Sequence, residues 1–344
     1  IGIWGGVFGL SMALGPVVGG ALVDASSWRA VFFVNVPIGV LALLLTAVYV
    51  PESRAARPRR LDAIGQVLVI AALATLTSAI IEGPKSGWTS APILALFAAS
   101  VASFVALVLY ELRRDEPLIE MRFFRSAPFS GASAIAVLAF ATLGGFLFLN
   151  TLYLQDVRGL SPLHAGLYLL PMAGMLLVFA PLSGVLVGRV GPRPSLVCAA
   201  GALVISGVML TRLSPTTPTG YLLGAYFLAG IGSGLVNPPI TNTAVSGMPP
   251  SQAGVASAVA STSRQVGMTL GVAVIGAIAG GGVAGVIGPS FATATHSAWW
   301  IIVGLGAAIM VLGLLTTSRW ADQTARRTAE RFPEPGYEPG SVVA

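Results

Sequence analysis

Charge is scarce in this sequence: 9% of its 344 residues are Asp, Glu, Lys or Arg, one residue is cysteine, and no carboxylate falls in the middle of a long apolar run. Soluble domains are about 25% charged, so an ordinary water-soluble globule is excluded. The lone Cys198 can form no disulfide within the chain and is silent on compartment. His164 and His296 lie far apart in loops, and neither has a Cys or His neighbour at metal-ligand spacing, so no metal site is expected. Gly230, Gly232 and Gly234 form a glycine-rich run, yet it sits inside an apolar stretch with no strand before it, and a phosphate loop with its lysine is missing as well. No catalytic residue is assigned, and no enzyme is expected.

What the sequence has is apolar surface: 55% hydrophobic residues, together with 42 Gly and 23 Pro. That is too much to leave disordered. A helical crossing takes about 20 apolar residues, and the chain holds ten such stretches, at about 2–23, 30–50, 63–81, 91–110, 129–154, 166–187, 194–211, 220–241, 254–280 and 298–317. The expected fold class is therefore an all-α polytopic membrane protein embedded in a lipid bilayer. The chain opens on Ile1, already inside the first span, with no initiator methionine, charged leader or cleavage site, so it is read as a segment of a longer protein and not as starting with a signal peptide.

Basic residues divide unevenly between alternate loops. One set holds Arg54, Arg57, Arg59, Arg60, Arg113, Arg114, Arg122, Arg125, Arg189, Arg193, Arg319, Arg326, Arg327 and Arg331, the other only Arg29, Lys85, Arg158 and Arg212. Cytoplasmic loops are the basic ones, so the richer side and the C-terminus are expected in the cytoplasm, under a plasma membrane. The net charge of +6 is then a topology signal, and no nucleic-acid partner is expected. Trp28, Trp88, Trp299, Trp300 and Trp320 fall at span edges and are expected to anchor the interface. After Arg319 the tail reads as a charged surface helix followed by a disordered Pro/Gly-rich stretch from Pro333 to Ala344.

Several motifs are more specific. The first span carries Gly15-Pro16-Val17-Val18-Gly19-Gly20, where small residues permit close helix approach and the proline removes a backbone bond. Directly after it comes Trp28-Arg29-Ala30-Val31-Phe32-Phe33-Val34-Asn35-Val36-Pro37-Ile38-Gly39. This pairing resembles the antiporter motif of span five and the start of span six in the major facilitator superfamily, and most of all its fourteen-span drug:proton antiporters. Tyr153-Leu154-Gln155-Asp156-Val157-Arg158-Gly159-Leu160-Ser161-Pro162, with Ala165-Gly166 and Pro171, is similar to that family's link between the first two spans of its second half. Gly184-Val185-Leu186-Val187-Gly188-Arg189-Val190-Gly191-Pro192-Arg193 resembles its cytoplasmic loop motif, with Gly188 where the family has an Asp; a charge-relay role for the loop is not carried over. Gly254, Arg264-Gln265-Val266-Gly267 and Gly271 resemble its penultimate span.

The resemblance covers nearly all of residues 1–320 and implies a division of the chain. Residues 1–50 would be the last two spans of an N-terminal bundle, 51–127 loops and two inserted spans, 128–318 a C-terminal six-span bundle, and 319–344 a tail. The first four of fourteen spans would be absent, and with them the coupling carboxylate. It implies a monomeric secondary exporter that expels amphipathic, often cationic, small molecules by alternating access in exchange for protons, driven by the proton gradient with no other cofactor. A truncated non-transporting membrane protein and a metabolite exporter of the same fold stay open; a channel would want a continuous polar pore lining, which the spans do not show.

Candidate residues for the substrate path or a gate follow. Arg264 lies about 11 residues into its span, roughly 16 Å deep, where a charge must face the protein interior or water, or else bond to backbone or snorkel. Gln265 adjoins it. Asn237-Pro238-Pro239, followed by Thr241 and Asn242, is expected to break a helix near its cytoplasmic end. Asn150 and Gln155 could bond a substrate, or bond between helices. Gly15, Pro16, Gly19 and Gly20 are expected to act by packing and bending, Gly184, Arg189, Gly191 and Arg193 to mark a cytoplasmic turn, and Met172, Met175 and Phe179 to pack.

Overall fold

A computed structural model describes residues 2–52, 62–114, 120–246, 250–281 and 290–330. Helices account for nearly all of them, and no strand occurs among the described residues. In chain order they are α1 (Gly2–Ala25), α2 (Ala30–Phe33), α3 (Asn35–Tyr49), α4 (Ala63–Ser86), α5 (Ala91–Glu111), α6 (Ala127–Leu152), α7 (Pro162–Tyr168), α8 (Leu170–Val190), α9 (Pro192–Leu210), α10 (Thr219–Val245), α11 (Pro250–Gly281), α12 (Ser290–Ala294), α13 (His296–Thr316) and α14 (Arg319–Ala329). Among the described residues nine helical segments are long and apolar enough to cross a membrane, with α2–α3 and α12–α13 each serving as one. With α1, the ten expected stretches are all helical. The arginines 54, 57, 59, 60 and 331, and the tail from Pro333, lie outside the described residues.

The ends follow local chemistry. Asp62 accepts the Gly65 N–H at 2.9 Å and caps α4, and Ser126 caps α6 ahead of Pro128 in its first turn. The Gly184–Arg193 motif is mostly helix: α8 runs to Val190, Gly191 turns the chain at φ 83°, and Pro192 opens α9. Only glycine adopts that conformation without strain, while Arg189 in the last turn of α8 complements the helix dipole. Both histidines also belong to helices, His164 to α7 and His296 to α13.

Helices α6, α8, α9, α10, α11 and α13 pack into one bundle. Its interior divides along the helix axes into a cluster around Phe146, Tyr226 and Trp299 and another around Phe123, Phe129 and Ile240. Small residues bring the backbones together: a Cβ on Gly267 or Gly271 of α11 would lie 2.3 or 2.2 Å from carbonyl oxygens of α6. Trp28, Trp88, Trp300 and Trp320 are exposed at helix ends, as interfacial anchors should be. Trp299 is not an anchor: it is fully buried, edge-on to Phe146. As neighbours on α13 the two tryptophans point about 100° apart, so only one can face lipid.

α1 lies against α7 and α8, α4 and α5 pair with each other, and α4 leans on α11. No residue of α3 is buried. The tail helix α14 folds back on the start of α6, where Thr324 accepts the Ala127 N–H at 2.9 Å and Ala321 and Ala325 are covered. Among the described residues, acidic side chains sit at helix ends and connections, and none occupies the middle of the bundle.

Candidate functional site

Asn237, Pro238 and Pro239 do not break α10, which runs unbroken to Val245. The reason lies outside α10. Pro239 has no N–H for the carbonyl of Leu235 one turn earlier. Ser183 of α8 and Ser195 of α9 stand 2.8 and 2.9 Å from that oxygen and 2.6 Å from each other, all buried. A freed acceptor is thereby satisfied from two neighbouring helices, and the backbone stays helical. The expected break in the helix is therefore not found.

Asn237 itself keeps a buried Oδ1 with no donor. Thr241 lies one turn further along the same face of α10, and the Arg264 guanidinium donates to its hydroxyl from α11. Three of the candidate residues are thus together. Arg264 is near the middle of α11, yet its guanidinium ends beside a residue only four positions from the C-terminal end of α10. The charge therefore sits nearer the arginine-rich end than its place in sequence suggests. No carboxylate among the described residues pairs with it, and its buried Nε has no acceptor. Gln265 next to it is exposed, in an exposed polar stripe with Ser261 and Thr269.

Asn150 is elsewhere and occupied. It is fully buried, its Nδ2 donates to the Phe146 carbonyl at 2.8 Å, and its Oδ1 accepts the Tyr226 hydroxyl at 2.5 Å. That is a bond between α6 and α10, the interhelical use. Tyr226 was not singled out from sequence, although a tyrosine in mid-span needs a partner for its hydroxyl.

Gln155, by contrast, borders open space. A hollow of about 260 Å³ between α1, α7 and the C-terminal end of α6 is lined by Pro16, Gly19, Gly20, Gln155, Ala165 and Gly166 among others. A second, of about 330 Å³, lies between α6 and α11 and is walled by Gly144, Leu147, Phe148, Leu152, Met268 and Val272. Thr151 of α6 borders both. Apolar walls with few polar groups suit amphipathic molecules, and the volumes approach those of small-molecule sites. Thr151 was missed in the sequence because a threonine within an apolar run commonly bonds its own helix, as it does here to Leu147.

Positions of the glycine motif differ in how closely they are packed. A Cβ on Gly20 would lie 2.5 Å from the Pro162 carbonyl oxygen, and one on Gly166 would lie 2.5 Å from that of Pro16, while Gly15 and Gly19 face open space. At the same end Asp24 accepts both the Ser161 hydroxyl and the Leu163 N–H, and Ser161 also bonds His164 Nδ1 at 2.9 Å.

The family model for the Major Facilitator Superfamily matches residues 1–272. The chain belongs to the Major Facilitator Superfamily. Within it, the chain is 40% identical over 280 residues to the tetracenomycin C resistance and export protein of Streptomyces glaucescens, an overlap of 81% of this chain and 52% of that protein. It is 37% identical over 278 residues to the multidrug resistance protein Stp of Mycobacterium tuberculosis, with the same two coverages. It is 34% identical over 285 residues to the methylenomycin A resistance protein of Streptomyces coelicolor, covering 81% and 58%. The chain spans about half the length of the curated relatives it matches. As a superfamily member it is a multi-pass membrane protein with a helical-bundle fold.

Proposed function

We propose that the protein exports amphipathic small molecules across the plasma membrane by alternating access. The observation that carries this is the likeness, over four-fifths of the chain, to proteins named for antibiotic resistance and export. The two apolar hollows that meet at Thr151 support it. Export would be driven by proton antiport, with no coupling carboxylate assigned to any of these residues. The protein would act as a monomer, with the arginine-rich ends and the C-terminus in the cytoplasm.

The domain reading is part of the proposal. Helices α1 to α3 would close an N-terminal bundle, α4 and α5 would be the two additional spans of a fourteen-span transporter, and α6 to α13 would form the C-terminal bundle. The pairing of α4 with α5, which meets the six-helix bundle through α4 against α11, supports this division, as does the lack of any covered face on α3. In this arrangement α1 against α7 and α8 is the seam between halves, closed at its outer end by Gly20, Gly166 and Asp24.

The test is expression of the complete gene in a bacterial host stripped of its own efflux pumps. Growth and intracellular accumulation are followed for acidic, neutral and basic amphipathic antibiotics. Raised resistance with lowered accumulation, reversed by an uncoupler, is the expected result. Unchanged accumulation of all of them, with a metabolite appearing in the medium instead, would assign the protein to metabolite export.

A further inference from the structure

We propose that Arg264, with Thr241, is the recognition point for an anionic group on the exported compound, so that the preferred cargo is an amphipathic acid and not a cation. The inference rests on the export reading above and narrows its substrate class.

Residues one and two turns along α11, Met268 and Val272, wall the hollow between α6 and α11. Arg264 is on the same line of the helix, about 6 Å further toward the arginine-rich end. Arg264 does not line the hollow, and its guanidinium reaches away from it to Thr241, so a molecule passing between the arginine-rich end and the hollow goes by the charge.

An arginine within a membrane-spanning helix is costly unless paired or wet. This one is paired with a neutral hydroxyl, no carboxylate among the described residues meets it, and one of its N–H groups is buried with no acceptor. A guanidinium presents its donors as a planar fork that fits a carboxylate with two parallel bonds, and such charge-assisted bonds are the strong ones. The Thr241 hydroxyl accepts from the guanidinium, which leaves its own proton free to donate to the same anion. A cationic cargo would meet like charge here, and an anionic one meets the missing partner.

The experiment uses the complete protein, purified in detergent, and three probes sharing one fluorophore: dansylglycine (acid), dansylglycinamide (neutral) and dansyl-ethylenediamine (cation). Binding is read from dansyl emission, and transport from uptake into proteoliposomes. Dansylglycine should bind roughly tenfold or more tighter than the amide, and Arg264→Gln should bring the two affinities together. Arg264→Lys, which keeps the charge and controls for folding, should retain part of the preference but lose the two-bond fork. Equal binding of all three probes, or an acid preference that survives Arg264→Gln, would overturn the proposal and leave the export reading standing. If added chloride displaces dansylglycine without affecting the amide, the site belongs to a free inorganic anion and the assignment to cargo is overturned. Failure to bind or move any of the three would overturn the export reading and this proposal with it.

Discussion

The carboxylate of Asp24, at the end of α1, accepts the hydroxyl of Ser161, 137 residues away at the start of α7, at 2.8 Å, and the Leu163 N–H at 3.2 Å. An acid on one helix thus caps another across the α1 seam, where the helix dipole favours negative charge. Replacing a cap costs about 1 kcal/mol, so Asp24→Ala should open the seam several-fold more often. In a Cys198→Ala background, a maleimide should label a Val23→Cys variant correspondingly faster when Asp24 is removed. An unchanged labelling rate would show that the seam is held by packing alone.

Packing at that seam predicts a contrast between glycines of one motif. Gly20→Ala and Gly166→Ala each place a methyl 2.5 Å from a carbonyl oxygen, and overpacking of this kind costs about 1–3 kcal/mol. Gly15→Ala and Gly19→Ala meet nothing within 4 Å. Thermal unfolding in detergent, with transport measured in parallel, should show the first pair impaired and the second close to wild type.

Ser183 and Ser195 should behave non-additively. Each hydroxyl has one proton, and either serine alone can serve the Leu235 carbonyl that Pro239 leaves without its helical donor. Either single alanine variant should be mild, whereas the double variant leaves a buried acceptor unmet at about 1–3 kcal/mol. Denaturation midpoints of the four proteins in the cycle test this. Additive losses would mean that the serines do not share one acceptor.

Asn150 and Tyr226 bond α6 to α10, and a structural role for the pair makes a prediction. Tyr226→Phe should lower stability by about 1–3 kcal/mol by orphaning the Asn150 oxygen, and should change efflux of every substrate in proportion to the amount of folded protein. A change in the ranking of substrates at constant folded protein would return Asn150 to the substrate path.

The particular residues show what sequence could and could not convey. Ten helical spans were legible because each is a run of apolar residues bounded by Pro, Gly or charge, signals carried within about 20 residues. The continuity of α10 through Pro238 and Pro239 was not, because the compensating serines lie 40 and 52 residues away and meet Leu235 only after three helices pack. The same holds for Trp299: its place near a span edge suggested an anchor, but which of two adjacent tryptophans faces inward is set by how α13 rotates against α6. At the candidate site the pattern around Arg264 was visible, and its junction with Thr241 was not, since it depends on a contact between α10 and α11. Gly20, not Gly15 or Gly19, carries the close approach because only the crossing of α1 over α7 decides which glycine meets a neighbour.

The most direct test of the account is transport by the purified complete protein in proteoliposomes with an acid interior. The dansyl acid, amide and amine are offered outside at higher pH, with protein-free vesicles as the reference. At least the acid should accumulate above that reference, and nigericin, by collapsing the pH difference, should abolish the excess. Uptake of all three equal to that of protein-free vesicles would contradict it.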